Sequence, residues 1–262
     1  MKPRDNRIQP LNLTGSVFSI KDKKKFDQAI NLLKESIIGP IFACDNIITW
    51  DRNLSFLREE FFINYINNKE IHNDIRSCIW RLYILAYFAE LVIRIDGDYI
   101  ELGALEGNTV EQLITKLDFG SLNKEYQLYD LFDWKDHYEH DAHHQLKDMN
   151  LYEKVCKKFK KYNYVKVIKG NVIDTLKDNL PEKIAFAHID LNHPKPERLA
   201  FELILPKLSE NGVIIFDDYG WWSYSAQKNA LDPIAKKNNL EILELPTGQG
   251  ILINNRESNS IS

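Results

Sequence analysis

The sequence predicts a doubly wound α/β fold: a seven-stranded, mostly parallel sheet with an antiparallel last strand pair, preceded by a helical N-terminal extension. Three observations carry this. From Asp98 onward, apolar runs alternate with helical stripes, the pattern of successive βα units. The stretch 184–220 reads IAFAHIDLNHPKPERLAFELILPKLSENGVIIFDDYG. Its apolar runs Ile184 to Ile189 and Val213 to Phe216 flank a stripe at Leu199, Leu203, Ile204 and Leu208, and strand, helix, strand makes the two strands parallel. Finally, only Pro246-Thr247-Gly248-Gln249 separates the last two apolar runs, a link that can join only antiparallel neighbours.

Residues 1–20 carry no clear period. Residues 23–38 read as a helix with Phe26, Ile30, Leu33 and Ile37 on one face, ended by Gly39-Pro40. Residues 41–53, IFACDNIITWDRN, read as a loop or irregular segment. A second helix is expected over 54–66 and a third over 74–93. The third is apolar around most of its circumference, which suits a helix packed on two sides, as between a sheet and a partner chain. Residues 1–95 form the expected extension, 96–253 the α/β domain, and 254–262 a polar, frayed tail.

The domain begins with a strand over 99–102 and a turn flanked by Gly103 and Gly107. Asn108 is placed to cap a helix, with Glu111 completing a capping box, and Val110, Leu113, Ile114 and Leu117 form the stripe. The next strand, 127–132, carries Asp130 near its end. A polar segment, DWKDHYEHDAHH, precedes a helix over 146–161. A strand over 164–168 and the turn Gly170-Asn171 lead into a helix over 172–179. After the central βαβ unit come a helix over 226–238 and strands over 240–245 and 250–253.

Composition narrows the function classes. A chain of 262 residues, 44% hydrophobic, suits one large α/β domain with an extension. A net charge of −4 does not favour a nucleic-acid surface. Cys44, Cys78 and Cys156 are too far apart for a metal-type pair and too few for an even disulfide set, so a reducing, cytoplasmic setting is expected. No apolar run approaches the roughly 20 residues of a membrane span.

Five groups of residues carry candidate chemistry. Glu101, Gly103 and Gly107 stand in a turn with G-x-x-x-G spacing, not the dinucleotide fingerprint. Two glycines let a ligand approach the backbone, and the Glu suits a cationic or amino-bearing group. The same residues also make an ordinary strand–helix turn. Asp130 can accept ribose hydroxyls or be a solvated strand-end acid, with Asp133 close enough to compete. Asp190, Asp217 and Asp218 end two parallel strands on one sheet edge, where three carboxylates repel one another unless neutralised. They suit a hard divalent cation such as Mg²⁺, or serve as turn formers. Among the histidines, His193 lies at the site mouth, His188 reads as a core residue, and His137, His140, His143 and His144 read as a polar lid segment rather than a zinc site. Trp221, Trp222 and Tyr224 suit stacking on a flat ligand or a sugar ring, or a core or interface role.

These motifs resemble the class I S-adenosylmethionine-dependent methyltransferases, and within them the macrocin, mycinamicin and novobiocin family of sugar O-methyltransferases. GDYIELGALEG is similar to the family's first motif, AFAHIDLN to its strand-four motif, and LPKLSENGVIIFDDYG to its strand-five motif, the most specific of the three. The match runs from about Arg81 to Ile253. The resemblance implies a Rossmann-like fold, S-adenosylmethionine and Mg²⁺ as cofactors, and a sugar-containing acceptor such as a nucleotide sugar, a glycan unit or a glycosylated metabolite. It further implies that Glu101 and Gly103 hold the methionine end of the cofactor, Asp130 the ribose, with Asn171 near the adenine and Gly107 also among the cofactor-binding residues. Asp190, Asp217 and Asp218 would be metal ligands, and Asp190 or His193 the base. The chain departs from the family at Asn192, where relatives commonly carry a further acid. A homo-oligomer is expected, with no nucleic-acid or membrane partner. The rival readings are a methyltransferase on a non-sugar or nucleic-acid acceptor and a non-catalytic cofactor-binding protein. The first lacks the Asn/Asp-Pro-Pro-aromatic motif after strand four, and the intact acid set opposes the second.

Overall fold

A computed structural model describes residues 19–39, 41–132 and 150–256. The chain divides into two compact units between Tyr83 and Ile84.

The first unit holds α1 (Lys23–Ser36), β1 (Ile41–Cys44), β2 (Ile47–Trp50), α2 (Glu60–Asn67), α3 (Asn73–Ser77) and the start of α4 (Ile79–Leu91). Asp22 caps α1 by accepting from the Lys25 amide at 3.0 Å. The segment expected to be irregular is instead an antiparallel hairpin of β1 and β2. Its turn residues Asp45 and Asn46 both take positive φ, 51° and 57°, the backbone that two-residue hairpin turns demand. Arg81 grips the Asp45 carboxylate with two bonds, Nε to Oδ2 at 2.7 Å and Nη2 to Oδ1 at 2.6 Å. Two expected helices are broken. The stretch 54–66 opens with a 3-10 turn, Ser55–Arg58, before α2, and 74–93 divides at Cys78 into α3 and α4. The unit's core is aromatic: Phe56 stacks on Tyr83 at 4.5 Å between centroids and meets Phe62 edge-on, while Phe42 meets Trp80 edge-on.

The second unit is the α/β sheet, with β3 (Asp98–Leu102), α5 (Asn108–Lys116), β4 (Tyr126–Asp130), α6 (Leu151–Phe159), β5 (Val165–Lys169) and α7 (Val172–Asn179). It continues with β6 (Ile184–Ile189), α8 (Pro194–Ile204), β7 (Leu208–Phe216), α9 (Ser225–Lys237), β8 (Leu243–Glu244) and β9 (Gly250–Ile253). The spatial order is β5-β4-β3-β6-β7-β9-β8. The pairs from β5 to β7 are parallel, and β9 runs antiparallel to both β7 and β8. This is the expected doubly wound, seven-stranded and mostly parallel sheet, with the expected antiparallel finish. Buried Ile100, Leu102, Ile189, Phe201, Ile214, Phe216 and Leu231 join strands and helices in one core.

Two local expectations fail. Asn108 does not cap α5. Gly107 occupies that position, and the Asn108 side chain bonds to Glu106 and Lys158. Glu111, expected to close the capping box, pairs with Lys158 at 3.2 Å instead. β7 starts earlier than expected, at Leu208, because Ile184 pairs with Leu208 before the register shifts. Among the described residues, no helix is long and apolar enough to cross a membrane.

The strand order fixes where a ligand can sit. From β3 the chain moves outward through β4 to β5, then returns to β6 on the other side of β3. Such a reversal opens a crevice at the carboxyl ends of the two central strands, here Leu102 and Ile189.

Candidate active site

Glu101 stands on β3, only 2% exposed. Gly103 follows at φ 84°, and a Cβ there would lie 1.8 Å from the Asp190 carbonyl oxygen. The Gly103 amide donates to Tyr129 O at 2.8 Å and the Asp190 amide to Leu102 O at 2.9 Å. The ends of β3 and β6 therefore touch through backbone, and this closeness alone requires glycine. Gly107, at φ 68°, would bring a Cβ to 2.5 Å from the Phe159 ring of α6.

Asp130 ends β4. Its Oδ2 accepts from the Leu105 amide at 2.8 Å and its Oδ1 from the Phe132 amide at 2.7 Å. The carboxylate thus ties the β3–α5 loop to the end of β4, and each oxygen retains a lone pair. Burial raises its carboxyl above the usual range. Asn171 caps α7, its Oδ1 accepting from the Ile173 amide at 3.0 Å, which leaves its NH₂ group as the donor it can offer a ligand.

On the acid side, Asp190 follows β6 and Asp217 and Asp218 follow β7. The Asp217 amide donates to Ile189 O at 3.0 Å, so the two strand ends are laced together. Asp190 is half-buried, Asp217 and Asp218 each 8% exposed. Asn192 folds back at φ 53° and donates from Nδ2 to Asp190 Oδ1 at 2.8 Å. Gln249, in the link before β9, donates from Nε2 to Asp217 Oδ1 at 3.1 Å and accepts from Thr247 Oγ1 at 3.1 Å. His193 caps α8 with Nδ1, which accepts from the Lys195 amide at 3.3 Å. A ring that accepts at Nδ1 carries its proton on Nε2.

His188 lies on β6 between the two halves. Its Nδ1 is 3.4 Å from Glu101 Oε2 and its Nε2 3.6 Å from Asp217 Oδ1. Neither ring nitrogen, nor Glu101 Oε2, has a hydrogen bond of acceptable geometry. Burial works to lower the imidazole pKa, but the two carboxylates outweigh it and lift it to about 10. Burial pushes the Glu101 carboxyl up.

The acids are tested as a metal site by their donors. Three carboxylates at adjoining strand ends are the oxygen donors that Mg²⁺ takes, and their chemistry fits that ion. Their arrangement stops short of a coordination sphere: among the described residues, no three His, Cys, Asp or Glu side chains converge on one point. The cofactor half also fits, because the buried Glu101 Oε2 is an acceptor with no donor hydrogen-bonded to it, and an amino-acid ammonium supplies one.

Sequence reasoning missed several neighbours. Glu197 on α8 is buried and accepts from Gln227 Nε2 of α9 at 2.6 Å and the Leu191 amide at 3.4 Å. Burial, then Asp218 and Asp190, push its carboxyl well up. Gln249 and Thr247 were equally hidden. The Trp pair divides its roles. The Trp221 indole packs where a Gly248 side chain would stand, whereas Trp222 is 89% exposed. Asp133, His137, His140, His143 and His144 lie outside the described residues.

Residues 100–219 match the family model described as a methyltransferase domain. No curated protein matches the chain. Among solved structures, the O-methyltransferase NovP is 20% identical at a TM-score of 0.55, over 67% of this chain and 80% of its own. CalS11, a TDP-rhamnose 3'-O-methyltransferase of calicheamicin biosynthesis, is 16% identical at a TM-score of 0.52, over 92% of this chain and 98% of its own. The SAH-bound Podospora anserina methyltransferase PaMTH1 is 13% identical at 0.52, over 93% and 100%. At these identities the likeness is one of fold.

Proposed function

We infer that this chain, which carries a methyltransferase domain over residues 100–219, moves a methyl group from S-adenosylmethionine to a sugar hydroxyl. The observation that carries the reading is the pairing, at one sheet edge, of a buried carboxylate with an open acceptor on β3 and a set of acids at the ends of the next two strands, β6 and β7.

When bound, the cofactor supplies a methyl on a sulfonium, open to in-line displacement. Glu101 accepts from the ammonium of its methionine end, beside Gly103 and Gly107. Asp130 would accept from the ribose hydroxyls with its remaining lone pairs while it holds the Leu105 amide, and Asn171 would offer its amide at the adenine. Holding donor and acceptor in line is worth a large part of the barrier.

On the acceptor side, Asp190 takes the hydroxyl proton. Asn192 donates to one of its oxygens and orients the carboxylate. His193 is the second choice, because its Nδ1 lone pair already serves the Lys195 amide. Asp190, Asp217 and Asp218 supply the oxygen donors that would hold Mg²⁺ once drawn together, and the ion would acidify and orient a hydroxyl. Trp222, exposed and four residues after Asp218, would offer a stacking face to the pyranose ring. The sugar class is supported by the fold likeness to an enzyme whose acceptor is TDP-rhamnose. The reaction would run in the cytoplasm, in a homo-oligomer whose contacts involve the N-terminal extension, residues 1–95.

A panel of nucleotide sugars and glycosides, incubated with labelled S-adenosylmethionine, tests the reading. At least one sugar should be methylated, turnover should vanish in EDTA, and added Mg²⁺ should restore it. Asp190→Asn should lower turnover by about 100-fold or more, the scale of a lost general base, with S-adenosylhomocysteine still bound. Transfer to no sugar would defeat the sugar reading, and full turnover in EDTA the metal role.

A further inference from the structure

We propose that His188 is a positioning residue that couples the cofactor half of the site to the acceptor half. This rests on the reading above, in which Glu101 serves the cofactor and Asp217 the acceptor side.

The geometry begins with register. β6 lies between β3 and β7, and Glu101 pairs with His188 across the first boundary and His188 with Ile215 across the second. Asp217 follows Ile215 by two residues and so returns to the same face of the sheet. One imidazole therefore faces a carboxylate on each side, at 3.4 and 3.6 Å, with 3% of its own surface exposed. At that depth no bulk water screens the ring, and the acids are its only ionic partners among the described residues. Both separations are those of ion pairs rather than formed hydrogen bonds. The ring is thus shared between two acids without being committed to either.

Sharing has a consequence for binding. An ammonium that arrives at Glu101 takes over that carboxylate, and the ring is released towards Asp217. If Asp217 loses its charge, the ring has nowhere better to go, remains with Glu101 and competes with the incoming ammonium. Cofactor affinity then depends on a residue of the acceptor half, and by reciprocity acceptor-side occupancy depends on the cofactor. A ring that served only as core filler would transmit nothing.

The test is calorimetric titration of the whole chain with S-adenosylhomocysteine, in the wild type, Asp217→Asn, His188→Gln and the double variant, with thermal melting to verify folding. Asp217→Asn should weaken S-adenosylhomocysteine binding by about fivefold or more, the low end of measured site-to-site couplings. In the His188→Gln background the same substitution should change affinity by less than about twofold, so the two effects are not additive. His188→Asn repeats the cycle if the Gln variant does not fold. Unchanged affinity in Asp217→Asn overturns the coupling while leaving the proposed function standing. So does an Asp217→Asn effect that persists undiminished without His188. A wild type that binds no S-adenosylhomocysteine overturns the proposed function itself, and the coupling with it.

Discussion

Gly103 is the residue at which the two halves of the crevice meet. Its missing side chain admits the Asp190 carbonyl to within 1.8 Å of where a Cβ would stand. Gly103→Ala must therefore push β3 and β6 apart at their carboxyl ends and also bear a positive φ. Strain and overpacking together should cost about 2–4 kcal/mol, read as a fall in the urea midpoint at unchanged slope. A loss below about 0.5 kcal/mol would mean that the strand ends yield freely. Single residues also mark the limits of sequence reading. Asp190, Asp217 and Asp218 were legible because a short acid directly after an apolar run stands at a strand end. Gln249, Thr247 and Gln227 were not, since an uncharged polar side chain in a link or on a helix leaves no periodic trace. His188 was read as core because its neighbours on β6 are apolar. Burial was right, but the flanking carboxylates come from other strands and only pairing reveals them.

At the scale of elements, the β1–β2 hairpin shows how a short motif escapes a reading based on period. Four residues per strand give too few alternations to count, although Asp45-Asn46 between β-branched and aromatic residues is a turn signal in itself. The same turn supplies the carboxylate that Arg81 grips twice. Asp45→Ala removes that acceptor and both of its bonds to a largely buried guanidinium, and replaces a residue that tolerates positive φ with one that does so poorly. The expected loss is about 3–5 kcal/mol, as for other broken buried pairs, measured by thermal or denaturant unfolding. Asp45→Asn, which keeps the turn and one acceptor oxygen, should lose less. The misplaced cap on α5 has a related cause. Asn108 and Glu111 fit the capping pattern, but Lys158 from α6 engages both side chains, a tertiary partner that the local sequence does not announce.

For the whole molecule, the seven strands, the parallel run and the antiparallel finish were all legible, because each strand is an apolar run and each connection is long or short enough to decide direction. The lateral order was not fixed by period. Only the strand pairing gives it. If the crevice binds S-adenosylhomocysteine, the ligand stabilises the folded chain by mass action. At 100 times its dissociation constant the gain is about 2.7 kcal/mol, which should raise the melting temperature of the sheet-bearing unit by roughly 5–10 °C. Differential scanning fluorimetry across a ligand series checks this, and a flat series would count against a cofactor site.

The antiparallel finish also bears on how the molecule comes into being. β9 lies between β7 and β8 in space although it follows both in the chain. Until Gly250–Ile253 inserts, β7 is an open sheet edge, with its outward amides and carbonyls available to any passing strand. The same insertion brings Gln249 to Asp217. Insertion of β9 therefore closes that edge and sets an acceptor-side carboxylate in the same event. A nascent or refolding intermediate that stalls before it would be both sticky and inactive.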